Sequence, residues 1–379
     1  MIGGIKLANL VDKIYAELDE EGMQKVRWQE KMRLVIFLLQ LVAPIAYVLL
    51  WITTRWSHTL ARWSQEEPLL FSFVFFGGEL LFALPISYLN GWIELRLGTN
   101  REPLGNWAYF WFRWAFHMAL LNMALFSFVF DIYASSPGIS LFANLVLAFA
   151  FNLLIFWLQS PALRKRFKVE PIEDHELKAR IGAVFEKAGV PFKNIYLLHA
   201  GPKTTRGNAL VIPKALGYEV LLYDNLVEAL DPGALAFVTA HELVHIKNED
   251  LPRRLIANST LLFFSLFIGQ VTVRTLAPWF WLDPLSVEAL PLFYLGTTLT
   301  YTIGQVLLNA LRRWHEYAAD RYAFELTGDL DTFEQAFTVL AKRNFLDPDP
   351  PRWLELLLHS HPSIKHRWEA GQRYFEKKS

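Results

Sequence analysis

Residues 34–54 read LVIFLLQLVAPIAYVLLWITT, an uncharged stretch bounded by Arg33 and Arg55. An α-helix needs about 20 apolar residues to cross a hydrocarbon core of roughly 30 Å, so this stretch predicts a membrane span. Working outward, comparable windows recur. Pro68 to Ile93 carries the single acid Glu79, and Trp107 to Phe130 the single base Arg113. Ile139 to Gln159, Leu255 to Val273 and Ala289 to Leu311 carry no charge. Six such windows predict a mostly α, polytopic membrane protein with both termini on one side.

Composition agrees with that reading. Of 379 residues, 53% are hydrophobic and only 20% charged, which excludes a disordered chain. The 37 basic residues balance the 37 acidic ones, so the electrostatic signature of a nucleic-acid binder is missing and no nucleic-acid partner is expected. Cysteine is absent, which removes disulfides, thiolate metal sites and cysteine nucleophiles together. Any metal site must therefore be built from imidazole and carboxylate.

Positive charge orients the spans. Lys6, Lys13, Lys25, Arg27, Lys31 and Arg33 precede the first, and Arg164, Lys165, Arg166 and Lys168 follow the fourth. The turn Ser135-Ser136-Pro137-Gly138 between spans three and four has no basic residue, so the bias puts both termini in the cytosol. The chain then divides into a membrane-surface segment 1–32 and spans one to four within 33–160. A cytosolic α+β part follows at 161–253, then spans five and six within 254–311, and a C-terminal helical part at 312–379. In the α+β part, helical periodicity runs from Glu173 to Ala188 with Gly189 as its stop. Asn194 to His199, Asn208 to Ile212 and Tyr218 to Tyr223 read as strands of a small sheet, and Asp231-Pro232 opens a further helix.

That last helix contains His241-Glu242-Leu243-Val244-His245. Residues four apart share a helix face, so two imidazoles can hold one ion while Glu242 takes a proton from an attacking water. A third ligand is needed on the same side of the membrane. Glu316 and Asp320 lie one turn apart just beyond span six, and two crossings separate them from His245. The topology therefore permits a His241, His245, Glu316 site, with Asp320 receiving the other N–H of a ligand imidazole. His315 points about 100° away from Glu316 and is no ligand. His175 is read as a helix-start residue.

With these residues placed, the chain resembles a family of integral-membrane zinc metalloproteases that includes the type I CAAX prenyl proteases and the bacterial heat-shock membrane proteases. The resemblance rests on HELVH at 241–245, then Asn309, Arg313, Glu316 and Asp320 at the family's spacing, and His361-Pro362 with Arg367 after it. Asn208-Ala209 is similar to the family's strand before the metal helix. Leu84-Pro85, Tyr88, Ile93-Glu94, Arg96, Gly98 and Asn100 are similar to the prenyl-protease branch. Departures are Val244, where Gly is common, and Arg312, where Ser is common. Prenyl proteases are expected to have seven spans enclosing a chamber, against six here.

The resemblance implies a membrane-embedded metalloendopeptidase holding one Zn2+ per chain, with Glu242 as general base and His361 as an oxyanion donor. It implies a peptide or protein substrate, prenylated or transmembrane, with Asn208, Ala209, Leu210 and Val211 as an edge strand that pairs with it. Arg313 and Arg367 are expected to pair with acids that brace the site. The protein would sit in a bacterial inner membrane, or in the endoplasmic reticulum membrane of a eukaryote, with its site near the cytosolic side. The rival activity is quality-control proteolysis of membrane proteins. A metal-binding scaffold or transporter without hydrolysis is the alternative from another class. Among polar residues within spans, Glu79 is expected to line a cavity and Arg113 to snorkel to the interface.

Overall fold

The computed structural model describes residues 2–159, 167–214, 217–248 and 250–378. The basic residues Arg164, Lys165 and Arg166 lie outside the described residues. The long helices are α1 (Ile2–Thr53), α3 (Pro68–Arg96), α4 (Leu104–Ser135) and α5 (Ser140–Gln159), with the short α2 (Trp56–Trp63) between the first two. Strand β1 (Val169–Pro171) opens the α+β unit, followed by α6 (His175–Ala188), β2 (Phe192–Leu198), β3 (Ala209–Lys214) and β4 (Gly217–Tyr223). Next come α7 (Asp224–Val227), α8 (Pro232–Lys247), α9 (Asp250–Leu276) and α10 (Leu290–Thr327). Three helices close the chain: α11 (Asp331–Asn344), α12 (Arg352–Leu358) and α13 (Ile364–Glu376).

Five helical stretches among the described residues are long and apolar enough to cross a membrane: Leu10–Thr53, Pro68–Arg96, Leu104–Ser135, Pro137–Leu158 and Pro252–Phe280. The first half of α10 is the sixth expected span. It is less apolar because Thr298, Thr302 and Gln305 face a cavity inside the helix bundle. It packs closely along α9. A Cβ added at Gly296 would come within 2.2 Å of Thr272 Oγ1, and one at Gly304 within 2.1 Å of Leu261 Cδ1. Small residues permit this approach, as in other membrane helix pairs. The chain is thus a polytopic, mostly α membrane protein carrying a small α+β unit.

The four-stranded sheet has the order β1-β2-β4-β3. β2 and β4 are parallel; β3 pairs antiparallel with β4 from Ala209↔Leu222 to Lys214↔Gly217 and forms one edge. The helices begin and end where the sequence signals them. The Asp174 carboxylate accepts from Leu177 N, and Gly189 terminates α6 at φ 68. Asp231 accepts from Ala234 N ahead of Pro232 in α8. Nearly every residue of α8 from Ala234 to Val244 is buried, which makes it the central helix of the unit.

The N-terminal segment differs from the expectation of a membrane-surface helix. Leu10, Ile14, Leu18 and Val26 are each at most 3% exposed and belong to the same core as Phe185, Val220, Phe237 and Phe324. Each such side chain contributes roughly 1.5–3 kcal/mol when shielded from water. Periodicity indicates that a helix face needs cover, and here protein supplies the cover. The segment bends at Asp19 (φ 52), whose carboxylate accepts from Gly22 N and caps the helical stretch that follows.

Candidate metal centre

Helix α8 sets His241 and His245 on one face, and α10 passes that face with Glu316 turned toward it. One ligand atom from each of the three residues lies within 4.8 Å of the others. His241 Nε2 is 3.3 Å from Glu316 Oε2, and His245 Nε2 is 3.5 Å from Glu316 Oε1. The opposite nitrogen of His241, Nδ1, is 3.0 Å from Asp320 Oδ1. Donation from Nδ1 to this carboxylate leaves Nε2 as the nitrogen on the Glu316 side, the one a metal could take. Asp320 is itself held by Arg367, with Nε 2.7 Å from Oδ2 and Nη2 2.5 Å from Oδ1. The guanidinium lies over the Phe337 ring.

The electrostatics favour a cation at this point. Burial would raise the Glu316 carboxyl, but His241, His361 and Arg367 hold it well below the usual carboxylate range. Burial likewise works against a charge on His241, yet Asp320 and Glu316 outweigh it and raise the imidazole to about 10. Glu316 Oε2 is buried and accepts no well-formed hydrogen bond, although His361 Nδ1 is 2.8 Å away. An ionised carboxylate with a spare buried oxygen, next to two imidazoles, fits a divalent ion of the zinc type.

Glu242, Asn208, Ala209 and His361 line the same cavity as His241 and Glu316, a space of about 480 Å³. Leu210 and Val211 continue the edge strand beyond this lining. Among the described residues Arg313 forms no ion pair with an acid, contrary to expectation. It donates to the carbonyls of His359 (2.5 Å) and Glu355 (3.3 Å) and braces the loop that carries His361. His315 packs on the Trp314 ring, outside the ligand group. Glu79 accepts from the Tyr294 hydroxyl at 3.2 Å and borders an intramembrane cavity of about 670 Å³. Arg113 is exposed and lies against the Tyr109 and Phe110 rings.

Two groups of residues near the site escaped the sequence reading. Glu30, from α1, is 2.8 Å from His359 Nε2 and accepts from Arg33 at the same distance, and so holds the His361 loop from the N-terminal side. Glu94, at the end of α3, accepts from Arg206 Nη2 (2.8 Å), Arg206 Nε (3.2 Å) and Thr99 Oγ1 (2.9 Å). Thr204 Oγ1 in turn donates to Thr99 O at 2.9 Å, and Arg101 N to Lys203 O at 2.9 Å. The loop leading into β3 is therefore tied to a membrane helix. The unexplained acid of Ile93-Glu94 and the basic loop before Asn208 were the available signals, but only the fold pairs them.

Known proteins share this architecture and sequence pattern. The structure of Ste24p from S. mikatae superposes with a TM-score of 0.71 at 20% identity, covering 96% of this chain and 94% of that one. The chain is 24% identical over 330 residues to the uncharacterized metalloprotease YhfN of Bacillus subtilis (strain 168), spanning 84% of this chain and 76% of that protein. It is 24% identical over 319 residues to CAAX prenyl protease 1 of Saccharomyces cerevisiae, spanning 78% and 70%. A protease HtpX homolog of Moorella thermoacetica matches at 24% over 225 residues, spanning 56% and 70%. The pattern of peptidase family M48 covers residues 171–373, more than half of the chain, and the protein belongs to that family of metalloproteases.

Proposed function

We propose that the protein is a zinc endopeptidase in which His241, His245 and Glu316 hold the ion, and that it acts on membrane-associated peptides from the cytosolic side. The observation that carries the reading is the convergence of these three donors within 4.8 Å, two of them, His241 and Glu316, lining one cavity with Glu242 and the start of an edge strand. A zinc ion bound there supplies a Lewis acid and makes water an accessible nucleophile near neutral pH. Glu242 takes the proton of the attacking water and delivers it to the leaving amine. His361 donates to the oxygen that gains charge at the scissile carbonyl. The backbone of β3, beginning at Asn208, holds an extended substrate by strand addition without reading its side chains. Asp320 and Arg367 fix the His241 tautomer, while Arg313 and Glu30 hold the loop of His361.

The distribution of positive charge supports the cytosolic side. Arg33, Lys168, Arg253, Arg254, Arg312 and Arg313 flank the helix ends nearest the metal centre, which is the cytosolic signature. The units 33–160 and 254–311 form the membrane part and 161–253 with 312–379 the catalytic part. CAAX prenyl protease 1 among the relatives supports a lipidated substrate, for which the intramembrane cavity beside Glu79 offers room. The HtpX homologs support the rival reading, general proteolysis of membrane proteins.

The test joins metal analysis to cleavage of a prenylated peptide and its unlipidated twin by wild type and Glu242→Gln. The expected result is one zinc per chain in both proteins, cleavage by wild type, and loss of about 10²–10⁴-fold in the variant. Equal cleavage of the two peptides favours general proteolysis. Unimpaired function in Glu242→Gln indicates a metal-binding scaffold or transporter.

A further inference from the structure

The cavity that contains the metal centre also contains a carboxylate with no part in the chemistry. Asp347, between α11 and α12, lines it together with Asn344, Phe337, Leu340 and Leu346. Its Oδ1 accepts from the Tyr15 hydroxyl (3.0 Å) and from Asp349 N (3.0 Å). Among the described residues no donor reaches Oδ2. The nearby charges are Glu30 and Asp349, both negative. The cations in reach are engaged elsewhere: Arg33 with Glu30 (2.8 Å) and Lys365 with Asp349 (2.7 Å). Burial, reinforced by Glu30 and Asp349, pushes the Asp347 carboxyl above its ordinary value. This is the mark of an acid desolvated without a cation.

An independent observation points the same way. The Oδ1 of Asn344, on the same cavity wall, is buried and has no hydrogen-bond partner. An unmet buried acceptor costs about 1–3 kcal/mol, so Asn344 Oδ1, on a wall shared with the donorless Oδ2 of Asp347, requires a reason. An ammonium group provides one: it has three donors and no acceptor. The approach to it is apolar, formed by Phe337, Leu340 and Leu346, and suits the methylene stem of a long basic side chain whose head reaches a polar end.

We infer that Asp347 and Asn344 form a specificity subsite for a lysine-type side chain of the peptide substrate. Only one Asp347 oxygen is open, which suits the point charge of an ammonium better than the two-pronged fork of a guanidinium. The inference rests on the endopeptidase reading and narrows its substrate class to peptides with a basic residue at one position near the cleaved bond. The subsite reads a side chain where β3 reads only backbone.

The test uses the full-length, zinc-loaded protein and a cleavable parent peptide. Lysine is walked through three positions on each side of the cleaved bond, each time beside its acetyl-lysine twin, which keeps the length and removes the charge. The expected result is one position at which lysine is preferred over acetyl-lysine by about tenfold or more in kcat/KM. Asp347→Asn should abolish that ratio, and Asp347→Lys should shift preference toward glutamate at the same position. Equal rates for lysine and acetyl-lysine at every position overturn the subsite, as does a preference that survives in Asp347→Asn. If the zinc-loaded wild type cleaves not even the parent peptide, the endopeptidase reading fails and the subsite with it.

Discussion

Asp320 and Arg367 make an ion pair that is almost fully enclosed, at 1% and 5% exposure. Enclosed pairs contribute little net stability when intact, yet removing one partner strands the other and costs about 3–5 kcal/mol. Arg367→Met should therefore lower unfolding stability by about that amount in denaturant titrations of the metal-free protein, and Asp320→Asn in the same background should recover part of it. The pair also has a pH signature. Burial would raise Asp320, but Arg367 and His241 hold it below its ordinary value, so the folded state binds the proton more weakly than the unfolded state. Its stabilisation is complete above the unfolded carboxylate value of about 3.9 and is lost as pH falls through the lower folded value. Asp320→Asn should flatten the decline in stability below about pH 4. A slope identical to wild type counts against the assignment.

At the level of elements, the tie between α3 and the loop before β3 makes a membrane helix responsible for the placement of an edge strand. Arg206 is two residues from Asn208 and is gripped by both oxygens of Glu94. Arg206→Ala should raise KM for peptide several-fold while zinc content stays at one per chain, and the swap Glu94→Arg with Arg206→Glu should return KM toward wild type. If KM and kcat of Arg206→Ala both match wild type, the tie has no role in substrate placement. The same elements show what sequence can convey. The grouping of His241, His245 and Glu316 was legible because HELVH and the Glu316 to Asp320 turn are local spacings on helices, and the caps at Asp174 and Asp231 are local as well. The placement of α1 was not, because Leu10, Ile14 and Leu18 specify an apolar face and leave open whether lipid or protein covers it. β1 has only three residues and carries no periodicity to detect. His361 was legible only through family resemblance, since nothing local in His361-Pro362 points to Glu316. Glu30 with His359, and Glu94 with Arg206, join positions that only the tertiary fold brings together.

Over the whole molecule, one rod, α10, packs in turn against α9, α1, α8 and the C-terminal helices α12 and α13. Helix α10 is 38 residues long, about 57 Å at 1.5 Å per residue, and it runs unbroken from the membrane into the metal centre. Its close contacts with α9 at Gly296 and Gly304 lie in the membrane half, whereas Glu316 projects from the other half, about 30 Å from Gly296. Such a rod can act as a lever, with Glu316 on the arm beyond its contacts with α9. A tilt of about 5° about the Gly296 contact, within the range by which helices adapt to hydrophobic mismatch, carries the Glu316 position through about 2–3 Å. Metal coordination tolerates about 0.2 Å. Bilayer thickness is therefore expected to act on the proposed metal site. Reconstituted into phosphatidylcholine vesicles with acyl chains of 14 to 22 carbons, the protein should show a single optimum in peptide cleavage, with zinc affinity falling on either side. A flat profile across that series would mean that the lever is decoupled at its fulcrum.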